Sequence, residues 1–205
     1  MREAATRPVV TVAAQHGAAG HLIAPRVAEA LGVPFLDRAL PPSLAAANPE
    51  DQRQSRLVGS LARASTMFAG ESGEGIDRDE GRFRAELAEF VARASADGGV
   101  VLGRGGVIVL ADTPTALHVL LTGRREGRVA RVAEREGVDH KEADRRVRAH
   151  DRARKDYVRR AFGVHADDGS LYHLIIDTVR LGLDPSVELV VTASRALTRQ
   201  PSTGS

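Results

Sequence analysis

Short apolar runs alternate with amphipathic segments along this chain, which indicates strands alternating with helices. The first run, VVTV at 9–12, is rich in β-branched residues and leads into a segment of small residues at 15–20. Beyond that segment, apolar residues recur at helical spacing: Leu22, Ile23, Val27 and Leu31. The pattern predicts a strand, a tight loop and a helix, an order that directs the unpaired N–H groups of the helix start toward the loop.

Four more short apolar runs predict buried strands, at 33–36, 100–102, 116–121 and 173–176. Between the runs at 33–36 and 100–102, the sequence predicts a helix at 51–68, a mobile glycine-rich loop at 70–81 and another helix at 83–91. A charged helical region interrupted by Gly137 is expected from 124 to about 163, and a last helix near 187–197. Buried strands alternating with helices imply an α/β fold, whose parallel sheet binds ligands beyond the carboxyl ends of its strands.

The length of 205 residues suits one domain of this class. We expect a single domain over 8–198, with flexible tails at 1–7 and 199–205. The absence of cysteine excludes disulfides and thiolate metal sites. No apolar run approaches the roughly 18 residues that span a bilayer, and the N-terminus lacks the apolar core of a signal peptide, so a cytoplasmic location is expected.

The segment QHGAAGHL at 15–22 is an altered form of a phosphate-binding loop. A Walker A loop reads G-x-x-x-x-G-K-[ST]; its backbone cradles phosphates, its lysine reaches the outer phosphates and its hydroxyl ligates Mg²⁺. Here Gln15 replaces the first glycine, His21 the lysine and Leu22 the hydroxyl residue, while the small residues between them still let an anion approach the backbone. The alternative is a turn that only joins strand to helix. The candidate nucleotide-binding residues are Gln15, His16, Gly17, Ala18, Ala19, Gly20, His21 and Leu22.

Arginine is the main source of positive charge, because the chain has only two lysines, both in its second half. Arg104 directly follows the third predicted strand in a glycine-flanked turn, where its guanidinium either holds a phosphate or lies on the surface. Four arginines share one face of a later predicted helix: Arg124, Arg128, Arg131 and Arg135. This face either closes over phosphates as a lid or is a solvated surface.

Acidic residues mark further candidate positions. Asp37 and Asp177 each end a predicted strand, where a carboxylate can bind a sugar hydroxyl or a base amino group, or cap the next helix. Asp151 and Arg154 interrupt an otherwise apolar helix face, which is costly unless they pair with each other or contact a ligand. The histidines show no metal-binding spacing, so no metal ligand is assigned.

Together these motifs resemble the cytidylate kinase-like family, relatives of the bacterial cytidylate kinases among the nucleoside monophosphate kinases. The resemblance extends from about Val9 to Val191 and depends on five motifs and the arginine-rich helix: Q-x-G-x-x-G at 15–20, L-G-x-P-[FY]-[LY]-D at 31–37, Gly103-Arg104 after a buried strand, D-x-x-R at 151–154 and S-L-Y-H-L-I-I-D-T at 170–178. It implies a P-loop kinase fold with a five-stranded parallel sheet in the order 2-3-1-4-5, sandwiched by helices, and with helical excursions that bind the monophosphate and form a lid.

The resemblance also implies an activity and residue roles. The enzyme would transfer the γ-phosphate of ATP to CMP or dCMP, with Mg²⁺ held mainly by the nucleotide phosphates. The implied catalytic residues are Arg104, Arg128, Arg131 and Arg154, and the acceptor-binding residues are Asp37, Arg104, Asp151, Arg154 and Asp177. The four arginines are expected to converge over the loop and supply the charge it lacks. One departure is Gly105, because cytidylate kinases have aspartate after the glycine-arginine pair.

Two other functions stay open at this point. The missing lysine favours a module that binds a nucleotide without transferring phosphate. The arginine stripes would suit a nucleic-acid binder, which the formal net charge of +2 and the absence of tryptophan disfavour. Small-molecule nucleotides are therefore the expected partners, rather than nucleic acid or a membrane.

Overall fold

A computed structural model describes residues 7–36, 97–103 and 105–199 of this chain. The predicted helices and loop at 51–91, the candidate residues Asp37 and Arg104, and most of both tails lie outside the described residues. The remaining elements include both sides of the candidate phosphate loop.

Parallel strands form one sheet through the described part of the chain. These strands are β1 (Val9–Ala14), β2 (Phe35–Leu36), β3 (Gly99–Leu102), β4 (Ala116–Thr122) and β5 (Leu174–Asp177). Their order is β2-β3-β1-β4-β5, which confirms the five-stranded order 2-3-1-4-5 that the resemblance implied. Because Ala14 pairs with Leu121 and Thr122 with Asp177, the ends of β1, β4 and β5 meet at one edge of the sheet.

The helices predicted near 22–31, 124–163 and 187–197 are present, and two short helices at 106–109 and 178–181 were not predicted. They are α1 (Gly20–Leu31), α2 (Gly106–Val109), α3 (Arg125–Glu136), α4 (His140–Phe162), α5 (Thr178–Leu181) and α6 (Leu183–Thr198). Gly137 ends α3 in the left-handed conformation, and Asp139 starts α4 by accepting a 2.8 Å hydrogen bond from the Glu142 N–H. The glycine interruption read from the sequence is therefore a helix stop followed by a new cap. None of the described helices is long and apolar enough to cross a membrane.

The main hydrophobic core lies between the sheet and the pair α1 and α6. Ile23 and Val27 of α1 are fully buried against Val10 of β1 and Val119 of β4, and Val190 of α6 completes this layer. Burial of branched side chains from both helices holds α1 on the sheet. Each fully buried side chain stabilises the fold by about 1.5–3 kcal/mol. The start of α1 is thereby fixed beside the end of β1.

The opposite face of the sheet carries a buried polar cluster. A 2.8 Å hydrogen bond joins the Thr11 hydroxyl to Nδ1 of His118, a neighbour across the β1 and β4 ladder. The backbone N–H of His118 donates to Nδ1 of His173 at 3.0 Å, and the two imidazole rings stack with their centroids 4.9 Å apart. Burial, followed by the charge of His173, lowers the pKa of His118 from 6.5 to about 4, so this histidine is neutral at physiological pH.

Helices α3 and α4 form a hairpin with a small core of its own. Val129 and Val132 of α3 pack against Ala143 and Val147 of α4, and all four side chains are buried. We call this unit the α3–α4 hairpin. It approaches the sheet edge closely at Gly127, where an added Cβ would overlap the side chain of Val179 in α5.

This close approach predicts the effect of one methyl group. Gly127→Ala should lower the free energy of unfolding by about 1–3 kcal/mol, since the added methyl would overlap Val179, a β-branched side chain with restricted χ1. The same substitution in a Val179→Ala background should be neutral or stabilising, because alanine is the better helix former once the overlap is gone. Urea denaturation of the four proteins measures both values. Equal effects of Gly127→Ala in the two backgrounds would contradict the proposed contact.

Candidate functional site

The first residue of the loop is fixed to the neighbouring strand. The Gln15 N–H donates to the Leu121 carbonyl at 3.0 Å, which continues the β1 and β4 ladder by one residue. The Gln15 side-chain oxygen accepts a 2.7 Å hydrogen bond from the Thr122 hydroxyl. Glutamine at the position of the first Walker glycine therefore holds the loop to the end of β4.

The small residues of the loop are required by its packing. Gly17 has φ +83°, and a Cβ at this position would lie 2.5 Å from the Arg128 carbonyl oxygen. A Cβ on Gly20 would lie 2.6 Å from the Cβ of Ala14, so α1 starts in direct contact with β1. Ala19 has φ +58°, a left-handed conformation that is uncommon for any residue except glycine. The loop therefore makes one sharp turn between two close backbone contacts.

This turn leaves several backbone donors together. The Ala18 N–H donates to the Gln15 carbonyl at 3.0 Å, whereas the N–H groups of Gly17, Ala19 and Gly20 find no acceptor in the described part of the chain. Those three N–H groups lie at or just before the N-terminus of α1, where the helix adds partial positive charge. Such a cluster of donors is suited to bind an anion, above all a phosphate. The described part of the loop thus leaves three backbone N–H donors without an acceptor beside the start of α1.

The main chain of His16 is held by two charged residues. Its N–H donates to Oδ1 of Asp151 at 3.0 Å, and its carbonyl accepts a 2.8 Å hydrogen bond from Nη1 of Arg128. The same Nη1 also donates to Oδ2 of Asp151 at 2.8 Å. We call Arg128, Asp151 and the His16 main chain the His16 clamp. It joins both helices of the α3–α4 hairpin to the loop.

Asp151 and Arg154 do not pair with each other, which was one of the two alternatives expected from the sequence. Asp151 pairs with Arg128 of the preceding helix, while Arg154 pairs with Asp167 in the loop after α4 and donates to the Ala166 carbonyl at 3.2 Å. Nε of Arg154 is buried and has no partner among the described residues, so this guanidinium retains one unused donor.

Arg131 reaches the loop through a threonine. Its Nη2 donates to the Thr178 carbonyl at 2.7 Å and its Nη1 to the Thr178 hydroxyl at 3.2 Å. The fully buried Thr178 hydroxyl in turn donates to the Ala18 carbonyl at 3.0 Å. Arg131 has no acidic partner among the described residues, so its positive charge, unlike that of Arg128, is not neutralised by a neighbouring carboxylate.

Thr178 and His150 belong to the site but have no role predicted from the sequence. Thr178 follows Asp177 at the carboxyl end of β5, the edge where ligand-binding residues are expected, and this position was the available signal. The His150 ring stacks on the His16 ring with the centroids 3.9 Å apart and the planes 5° apart. Its position next to Asp151 in α4 gave no comparable signal.

The His16 ring is uncharged at neutral pH. Burial, followed by the charges of His150 and Arg135, lowers its pKa from 6.5 to about 3. Its Nε2 atom is buried without a hydrogen-bond partner among the described residues and lies 3.8 Å from a Glu136 carboxylate oxygen. This contact is therefore not an ion pair at neutral pH.

The last acidic candidate acts as a helix cap. Oδ1 of Asp177 accepts hydrogen bonds from the N–H groups of Val179 and Arg180 at 3.0 and 3.1 Å. Asp177 therefore caps the following helix, which was one of the two roles expected from the sequence. The carboxylate nevertheless lies at the end of β5, opposite Thr122 of β4. Asp177 is thus held at the edge of the sheet where the loop begins.

Only part of the expected convergence of arginines occurs among the described residues. Arg128 bonds to the loop, Arg131 bonds to Thr178, which in turn bonds to the loop, Arg154 is paired with Asp167, and Arg104 lies outside the described residues. The loop provides no hydroxyl ligand for Mg²⁺, because Leu22, 46% exposed, occupies that position. In the described ranges no group of three or more acidic or histidine side chains is arranged to hold a metal ion.

Comparisons with known proteins agree with this geometry. The model of the cytidylate kinase-like family matches residues 9–180. A cytidylate kinase of Methanopyrus kandleri is 32% identical over 118 residues, which are 58% of this chain and 60% of that protein, so the match spans less than two thirds of the relative's length.

Solved structures share the fold. An uncharacterised protein of Eubacterium ventriosum superposes with a TM-score of 0.67 at 20% identity, covering 93% of this chain and 99% of its own. A shikimate kinase of Bacteroides thetaiotaomicron superposes with a TM-score of 0.51 at 16% identity, covering 94% of this chain and 99% of its own. At these identities the similarity supports the P-loop kinase fold alone.

The buried state of His16 predicts a pH dependence of stability. The unfolded chain takes up a proton near pH 6.5, whereas folded His16 resists protonation until about pH 3, so the free energy of unfolding should fall as the pH falls through this window. For one such group the slope approaches about 1.4 kcal/mol per pH unit. His16→Phe, which can still stack on His150, should reduce the slope measured by urea denaturation between pH 7 and 4. His140→Gln, at an exposed position, is the control and should keep the wild-type slope.

Proposed function

This chain belongs to the cytidylate kinase-like family, and we propose that it is a kinase that transfers the γ-phosphate of ATP to a nucleoside monophosphate, with CMP or dCMP as the acceptor. The observation that carries the proposal is the cluster of unpaired N–H groups between β1 and α1. A family model that covers 9–180 supports a kinase-like activity, and the cluster supplies the binding site that such an activity needs.

Phosphoryl transfer requires positioning and neutralisation of charge more than covalent help from the protein. In this proposal the loop residues from Gln15 to Leu22 hold the ATP phosphates with backbone donors. Arg131 supplies positive charge close to the loop, because among the described residues its guanidinium makes hydrogen bonds only to neutral groups. Mg²⁺ enters with ATP, bound mainly to the nucleotide phosphates.

The acceptor would lie at the same edge of the sheet. Arg104 and Arg154 would hold its phosphate, a role supported for Arg154 by its unused buried Nε donor. Asp37 and Asp177 would approach its sugar or base, since Asp177 is the last residue of β5 and Asp37 is the next residue in sequence after β2. These assignments define the acceptor side of the proposed site.

One observation favours a second candidate function, a module that binds a nucleotide without transferring phosphate. The loop lacks both the Walker lysine and the hydroxyl, and the arginine closest to it is paired with Asp151. Loss of this charge weakens stabilisation of the transition state more than binding of the ground state. The two functions differ in one measurable property, turnover.

A panel of acceptors distinguishes them. Purified protein with MgATP should convert CMP or dCMP to the diphosphate faster than UMP, AMP or GMP, measured by chromatographic separation of the nucleotides. ATP binding in calorimetry without turnover of any acceptor would favour the binding module. Absence of both binding and turnover would leave only the fold assignment.

Arg104→Ala tests the acceptor side. The KM for the acceptor should rise about tenfold or more, since a bidentate charged hydrogen bond to the phosphate is lost. The dissociation constant of ATP should change by less than about twofold, because Arg104 is assigned to the acceptor alone. An equal loss of ATP binding would contradict this assignment. Arg180→Ala, an exposed arginine of α5, is the matched control and should change neither value.

A further inference from the structure

We propose that Arg128 and Asp151 act as a charge-neutral pair that sets the shape of the phosphate loop, and that neither residue contacts the transferred phosphate. This inference rests on the proposed function, because it assigns both residues to nucleotide binding at the same loop. It replaces the sequence-based roles of Arg128 as a lid arginine and Asp151 as an acceptor ligand. Both are positioning residues.

The first support is the closed geometry of the His16 clamp. The His16 N–H and carbonyl point to two different charged side chains, at 3.0 Å from Asp151 and 2.8 Å from Arg128. The two side chains are joined directly at 2.8 Å. Because both polar groups of the His16 main chain are engaged, the peptide planes on either side of it have fixed orientations. Gly17, the first residue of the turn with φ above zero, follows immediately.

The second support is the burial of the arginine. The Arg128 side chain is 7% exposed, and its Nε also donates to the Gly123 carbonyl at 2.9 Å. The guanidinium is thus bonded to three protein oxygens, from the end of β4, the loop and α4. An arginine that closes over a substrate needs freedom to move, whereas these bonds hold Arg128 in one position.

The third support is electrostatic. A carboxylate bonded to the loop repels the negative charges of a triphosphate, and this repulsion is strong where water is excluded. Arg128 cancels the Asp151 charge at a distance of 2.8 Å, so the pair fixes the loop without opposing the nucleotide. The sign of each single substitution follows from this arrangement.

Four proteins test the proposal: the wild type, Arg128→Met, Asp151→Asn and the double variant. Calorimetric titration with MgATP gives the dissociation constants. Arg128→Met should weaken binding about tenfold or more, since it leaves an unpaired carboxylate beside the loop. Asp151→Asn, which keeps an oxygen acceptor for the His16 N–H, should bind MgATP at least as tightly as the wild type. The double variant still lacks the Arg128 bond to the His16 carbonyl but no longer has an unpaired carboxylate, so it should recover part of the affinity lost in Arg128→Met.

The double variant separates positioning from direct contact. If Arg128 were a ligand of the phosphates, the double variant would bind as weakly as Arg128→Met, and the proposal would be wrong. Weaker MgATP binding by Asp151→Asn would overturn it equally. Arg148→Met, Asp144→Asn and their double variant provide the matched control, because the exposed Arg148 is also joined at 2.8 Å to the half-buried Asp144 within α4. The control set should stay within about twofold of the wild type.

A measurement without nucleotide keeps this test independent of the proposed function. Hydrogen exchange of the His16 N–H in the free protein should be about tenfold faster or more in Asp151→Ala than in the wild type, and slower in Asp151→Asn than in Asp151→Ala. Unchanged exchange in Asp151→Ala would overturn the clamp. If the wild type binds no ATP but the exchange results hold, the proposed function fails while the structural role of the clamp is retained.

Arg128→Met could also fail to fold, because the residue is buried. Arg128→Lys keeps the charge and loses part of the hydrogen bonding, so its affinity for MgATP should lie between those of the wild type and Arg128→Met. If Arg128→Met does not fold, Arg128→Lys and its combination with Asp151→Asn are compared instead. A charge-neutral pair predicts no further loss on adding Asp151→Asn, and a further loss would overturn the proposal.

Discussion

The candidate site depends on how the main chain of His16 is held. One strand end and one helix start define where the loop lies, but the orientation of its peptides is set by Asp151 and Arg128 from the α3–α4 hairpin. The two side chains are partly buried. Removal of either one would destabilise the fold, because the charge of the other would remain partly buried and unpaired. The loop, the hairpin and the end of β4 are therefore joined by one set of charged hydrogen bonds.

The small residues of the loop serve packing and binding at once. A Cβ on Gly17 would overlap Arg128 of α3, and a Cβ on Gly20 would overlap Ala14 of β1. The residues that leave room for an anion therefore also allow the loop and the start of α1 to pack closely. A sequence motif of this kind cannot distinguish the two requirements. The unpaired N–H groups favour the binding role here, because a turn made only for packing would leave fewer donors without acceptors.

Much of the described fold, but less of the site, could be predicted from the sequence. Apolar runs and helix-stopping glycines located the strands and helices because those signals are local. The partners of Asp151 and Arg154 were not predictable, since they come from α3 and from a loop 13 residues away rather than from the same helix face. Thr178 was missed for a similar reason: its contacts with Ala18 and Arg131 join segments far apart in the chain.

The separate core of the α3–α4 hairpin has a mechanical consequence. Because Val129, Val132, Ala143 and Val147 bury one another, the hairpin can tilt against the sheet as a rigid body without exposing its own apolar interior. The free energy of such a tilt is then determined by polar contacts, which water can replace, more than by lost hydrophobic burial. The hairpin therefore keeps its internal register whatever its position against the sheet, and that position is held by the His16 clamp and by the contact of Gly127 with Val179.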